Sequence, residues 1–66
     1  MFSRGLRKLR SDKEITQAEL AKKTGVTQAA ISRYEDGSAM PSLDVAVRIA
    51  EVLRCSLDEL LERRVS

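Results

Sequence analysis

The 66-residue chain has no histidine and no tryptophan, one cysteine (Cys55), one proline (Pro41), three glycines and only two aromatic residues, Phe2 and Tyr34. Each scarcity excludes something. A single cysteine rules out an intramolecular disulfide, and without histidine no ordinary zinc cluster can be assembled. There is no imidazole base and no convincing nucleophile–base pair, and the acidic residues fall on separate segments, so no enzyme is expected. Neither a metal nor a cofactor is expected, and nothing in the pattern suggests a small-molecule pocket. No apolar run approaches the roughly 18 residues of a membrane span. The N-terminus lacks the apolar stretch of a secretory leader, so a reducing cytoplasm is the expected setting. With so few aromatics, the core has to be built from Leu, Ile, Val and Ala, as in small helical bundles. The apolar fraction, 42%, supports one core and one domain spanning residues 1–66.

Charge is abundant but unevenly placed. The net charge is only +2. Residues 1–33 carry eight basic against three acidic side chains, whereas residues 34–66 carry four against seven. Ordinary solvated helix faces would account for this. So would a polyanion-facing half joined to a solvent- or partner-facing half. Charge alone does not choose between them.

Hydrophobic spacing predicts five helices. Phe2, Leu6 and Leu9 recur at i, i+4 and i+7 and predict a first helix from about Phe2 or Ser3 to about Ser11. Asp12-Lys13-Glu14 is a polar connection, and Ile15 is placed to staple onto the next helix. A second helix is expected over about Gln17–Lys23 with Leu20 and Ala21 inward, and a third over about Gln28–Asp36 with Ile31 and Tyr34 inward. After the loop Ser38–Pro41, Ser42 caps a fourth helix whose inner face is Leu43, Ala46, Ile49, Ala50 and Leu53 and which ends near Arg54. Ser56 caps a fifth, with Asp58 and Glu59 in its first turn, where the helix dipole favours negative charge. Leu57, Leu60 and Leu61 form its apolar face. Cys55 reads as a small buried hydrophobe.

The stretch Thr16–Gly37, TQAELAKKTGVTQAAISRYEDG, carries the organisation. Thr16 with Glu19 makes a capping box, Gly25 interrupts, Thr27 caps again and Gly37 closes the second helix. Two helices of about two turns joined by a short turn containing glycine describe a helix-turn-helix. Ala21 supplies the small side chain that a tight crossing needs, and Gly25 tolerates positive φ at the turn. These residues, with Ile31-Ser32-Arg33-Tyr34-Glu35, Pro41-Ser42-Leu43, Ile49-Ala50, Leu53 and Ser56-Leu57-Asp58-Glu59-Leu60-Leu61, resemble the lambda-repressor/Cro-like (XRE) family of small prokaryotic and phage DNA-binding regulators. Arg54 departs from the family's usual glycine, so it either takes positive φ or the helix runs further.

The resemblance implies a compact all-α, five-helix fold whose third helix enters the major groove of double-stranded DNA. Gln28 is then the leading base reader, since glutamine bonds adenine N6 and N7 together, and Ala29 offers a methyl-sized surface to a thymine methyl. Arg33 serves guanine or a phosphate, with a base contact preferred. Thr27 and Ser32 suit phosphate or secondary base contacts. The resemblance places Gln17, at the start of the second helix, on a phosphate, and Arg10, Lys13, Lys22 and Lys23 are further electrostatic candidates. An acidic face near Glu35 and Asp36 is available to touch polymerase.

One small domain reads too little DNA for high specificity, so a homodimer is expected. Leu57, Leu60, Leu61 and Val65 are the apolar candidates for its interface, some of which must instead close the monomer core, with the fourth helix as a further contributor. The expected role is a transcriptional regulator, a repressor in the first instance. The alternative is a protein-interaction module, such as an antitoxin or controller subunit, in which DNA binding is secondary.

Overall fold

The computed structural model describes residues 2–62. Its helices are α1 (Phe2–Asp12), α2 (Gln17–Thr24), α3 (Gln28–Asp36), α4 (Leu43–Leu53) and α5 (Leu57–Leu60), with no strand among the described residues. None of these helices is long and apolar enough to cross a membrane. Val65, expected at a dimer interface, lies outside the described residues.

Four of the five helices start on a hydroxyl cap. Thr16 accepts from the Glu19 N–H at 3.0 Å while the Glu19 carboxylate accepts from the Thr16 N–H at 3.1 Å. Ser56 and Glu59 repeat that box before α5, at 3.1 and 3.0 Å. Thr27 caps α3 through the Ala30 N–H at 3.1 Å, and Ser42 caps α4 through the Val45 N–H at 3.3 Å. Each such cap contributes about 1 kcal/mol. α2 runs to Thr24 rather than stopping at Lys23. The Thr24 hydroxyl is buried and donates to the Leu20 carbonyl at 2.7 Å, so the side chain satisfies itself within the helix. Gly25 then ends it in the left-handed region. α4 ends on Arg54 at φ 52, the first of the two alternatives that its sequence leaves open.

α1 packs on α3 and α5, and α2 packs on α3 and α4. Leu6, Leu20, Ile31, Ile49, Leu53 and Leu60 have no exposed surface and form the centre, joined by Phe2, Ala21 and Ala50. Each such leucine or isoleucine contributes about 1.5–3 kcal/mol by leaving water. Gly5 makes the α1–α5 approach possible. A Cβ there would lie 2.0 Å from the Leu60 carbonyl oxygen, which no relaxation of a side chain relieves.

Two expectations for the fourth and fifth helices fail. Leu43 is not on the inner face of α4 but 73% exposed: it is the first residue of the helix and stands at a groove shared with Phe2, Leu57 and Leu61. Leu60 is not an interface residue. It closes the monomer's own core against α1. Leu9 and Cys55 are half-buried against the core rather than within it.

Candidate nucleic-acid interface

The α2–α3 unit is built so that one face of α3 stays outside. Both the Gly25 and Val26 N–H groups donate to the Ala21 carbonyl, at 2.9 and 3.1 Å, folding the chain back within one residue of the helix end. Ala21 is buried at the crossing, and Val26 packs from the turn onto the core. Ile31, fully buried, and Tyr34, half-buried, anchor α3 from beneath. Helical periodicity then leaves Gln28, Ala29, Ser32 and Arg33 on the outer face, and all four are exposed, as is Thr27. The Thr27 oxygen is engaged by the Ala30 N–H, which leaves its hydroxyl hydrogen to donate.

Lys22 and Lys23 lie exposed in the last turn of α2, where cations also suit the dipole. Lys13 is exposed as well, and its charge acts on Cys55. The Cys55 thiol is nonetheless pushed above its ordinary pKa, by burial first and by the Glu59 charge second.

Arg10 differs from what its sequence suggests. It is not a free cation for a phosphate, because its guanidinium is taken up inside the protein. Nε and Nη2 donate to the two carboxylate oxygens of Glu35, the latter at 3.1 Å, and Nη1 donates to the Ile15 carbonyl at 2.7 Å. The Glu35 hydrogen bonds raise the guanidinium pKa above its usual value. Glu35 is 5% exposed, so it is no part of an acidic surface for polymerase. Asp36 beside it is exposed and accepts from the Ser38 N–H at 2.8 Å. Gln17, half-buried at the start of α2, donates from Nε2 to Glu35 Oε1 at 3.0 Å. A single buried carboxylate thus ties α1, α2 and α3 together. Reading the sequence put Glu35 on an acidic surface and missed this link, although a signal was present. Glu35 lies four residues after Ile31, on the same inner face, and a carboxylate there requires a cation.

A second link braces the motif from behind. Arg48 of α4 donates from Nη1 to the Thr24 carbonyl at 3.5 Å and from Nη2 to Asp44 at 2.8 Å, so a guanidinium meets the carbonyl end of α2.

Residues 6–60 match the family model described as helix-turn-helix. The chain is 42% identical over 62 residues to the uncharacterized HTH-type transcriptional regulator YqaE of Bacillus subtilis (strain 168), covering 94% of this chain and 53% of that one. It is 38% identical over 48 residues to the cryptic phage CTXphi transcriptional repressor RstR of Vibrio cholerae, covering 73% and 43%. The chain therefore spans about half the length of these two relatives. Among solved structures, the P22 c2 repressor protein in complex with a synthetic operator superposes with a TM-score of 0.86 at 32% identity, covering 91% of each chain. The chain belongs to the helix-turn-helix family, among the lambda-repressor-like (XRE) regulators.

Proposed function

We propose that this chain binds double-stranded DNA sequence-specifically as a homodimeric transcriptional regulator, a repressor in the first instance, acting in the cytoplasm with α3 in the major groove. The observation that carries this reading is the outer face of α3. Gln28, Ala29, Ser32 and Arg33 are exposed together along one face of a helix, from its first turn to its last, whose opposite side is locked into the core by Ile31. Gln28 and Ala29 suit an A·T step, and Arg33 suits guanine O6 and N7. Thr27 and Ser32 serve at the edges of that contact. Lys22, Lys23, Lys13 and Gln17, with the free N–H groups at the start of α2, supply the phosphate contacts that set register. Similarity to a repressor solved on its operator supports the same docking. A protein-interaction module is the weaker reading, since the relatives are transcriptional regulators.

The proposed dimer uses the apolar groove between the α3–α4 loop and α5. It is lined by Phe2, Met40, Pro41, Leu43, Ala46, Leu57 and Leu61. Met40 and Leu43 are 67% and 73% exposed at its edge. Leu57 and Leu61 keep the role expected for them, with Leu60 replaced by Leu43 and Met40. Selection of bound sequences from random duplex DNA near physiological salt tests the whole reading. The expected product is a two-fold symmetric site with half-sites about ten base pairs apart. No enriched sequence would move the interaction-module reading to first place.

A further inference from the structure

We propose that Glu35 is a positioning residue for DNA binding: by accepting from Gln17 Nε2 it holds that amide in the one orientation that leaves its second N–H to donate to a DNA phosphate. The inference rests on the reading that the start of α2 meets the DNA backbone.

A glutamine amide has a donor end and an acceptor end, and a free one turns either way. A phosphate accepts only. Half of the orientations of a free Gln17 would therefore present the wrong atom. The Glu35 carboxylate is ion-paired with Arg10, so it too accepts only. It receives Arg10 Nη2 at 3.1 Å and Gln17 Nε2 at 3.0 Å on the same oxygen. The Gln17 carbonyl oxygen cannot replace Nε2 there without setting two acceptors against each other. The nitrogen keeps one N–H for Glu35 and has one to spare.

The spare N–H joins others. Thr16 accepts from the Glu19 N–H through its hydroxyl and from the Leu20 N–H through its carbonyl. The N–H groups of Gln17 and Ala18 are left with no carbonyl in the first turn of the eight-residue α2. Glu35 also lies on α3, two residues beyond Arg33. The phosphate anchor and the reading helix are thus registered through one group, which Arg10 holds from α1.

If Glu35 only closed the ion pair, Gln17 would act the same without it. A double-mutant cycle separates the two cases. Arg10→Met with Glu35→Leu removes both charges and the acceptor together, a replacement that buried ion pairs often tolerate. Affinity for the duplex selected from the random library is measured with and without Gln17→Ala, alongside the denaturation midpoint of every variant. In the wild-type background Gln17→Ala weakens binding about tenfold or more, the value of a hydrogen bond to a charged group. In the Arg10→Met/Glu35→Leu background it weakens binding by less than about twofold. Arg10→Met with Glu35→Gln gives position 35 a donor as well as an acceptor, so Gln17 can pair there in either orientation and the Gln17→Ala effect stays below its wild-type value. It also serves as the background should the leucine variant not fold. Equal effects of Gln17→Ala in all three backgrounds, or none in the wild type, would overturn the proposal while leaving DNA binding intact. If no duplex is selected at all, the DNA reading and this proposal fall together.

Discussion

α2 and α3 both end on a glycine in the left-handed region, Gly25 at φ 76 and Gly37 at φ 83, whereas α4 ends on Arg54 at φ 52. The contrast extends beyond one dihedral. In the half from Thr16 to Gly37, backbone geometry, caps and polar partners agree: two hydroxyl caps, two unstrained exits, and a buried carboxylate with three donors. In the half from Ser38 to Leu61, a side chain sits where glycine is easiest, α5 has four residues, and Met40, Leu43 and Val47 are left exposed. A segment that reads DNA has to hold its side chains within a fraction of an ångström. A segment that awaits a second copy can leave apolar surface open, because association covers it. On the proposed function the two halves answer to these two demands, and substitutions can pull the contrast apart.

The largest effect is expected where the second half stops being an interface and becomes core. Leu60→Ala should cost about 2–5 kcal/mol of stability by opening a cavity between α1 and α5. Leu61→Ala, one residue on and half-buried in the groove, should cost less than about 1.5 kcal/mol and act instead on self-association. Urea unfolding measures the first and sedimentation measures the second. Equal losses of stability at the two positions would erase the distinction between core and groove. A molecular mass unchanged by a charge at Leu43 or Leu61 would remove the groove from the dimer.

The next effect belongs to the first half and leaves folding alone. Gln28→Ala or Arg33→Ala should weaken binding by about 1–3 kcal/mol and relax sequence preference, with the unfolding midpoint unmoved because both side chains are exposed. Lys22→Ala or Lys23→Ala should weaken all sequences alike and flatten the dependence on salt. Competition among duplexes of different sequence separates these outcomes. Unchanged discrimination in both Gln28→Ala and Arg33→Ala would move base reading off α3's outer face.

Smaller still, and opposite in sign between the halves, are substitutions at the helix exits. Gly25→Ala puts a Cβ into space, with Arg48 Nη1 4.0 Å away, so its cost is the left-handed conformation alone. That conformation costs an L-residue about 1–2 kcal/mol, offset in part by a less flexible unfolded chain. Arg54→Gly at the equivalent position of α4 should gain up to about 1 kcal/mol, by the same balance run in reverse. Thermal unfolding of the pair tests the account, and a destabilised Arg54→Gly would show that the arginine side chain contributes more than its backbone loses.

These expectations also show where the chain was legible as a string of residues. The helices and their caps were, because caps and glycines act within a few residues of where they stand. α3 lies at Gln28–Asp36 as its spacing predicts. The outer face of α3 followed once Ile31 and Tyr34 were turned inward. What could not be read depends on contacts between residues far apart in sequence. Arg10 looks like any basic residue on a polar stripe until Glu35, 25 residues away, is folded against it. Leu57, Leu60 and Leu61 are alike in composition, and only the close approach of α1 through Gly5 decides that Leu60 is the one inside. Leu43 keeps helical register with Ala46 and Ala50, but register does not say which turn of a helix its neighbours cover.

The faintest effect distinguishes a cap that depends on charge from one that depends on shape. The Glu19 carboxyl is held below the usual carboxylate range, first by the backbone N–H of Thr16 and then by the Thr16 side chain. A pKa lower in the folded than in the unfolded state stabilises the fold above the unfolded value, and that contribution disappears as pH falls through the folded value. Wild-type protein should therefore lose this contribution on acidification below the ordinary carboxylate range, in the direction of a lower melting temperature. Glu19→Gln keeps an oxygen that can accept from Thr16 but cannot titrate, so the melting temperatures of variant and wild type should converge as pH is lowered. The side chain is exposed, so the difference will be small and best seen as a change with pH rather than at any one pH. A gap between the two proteins that stays constant from neutral to acid pH would mean that the box holds α2 by geometry alone.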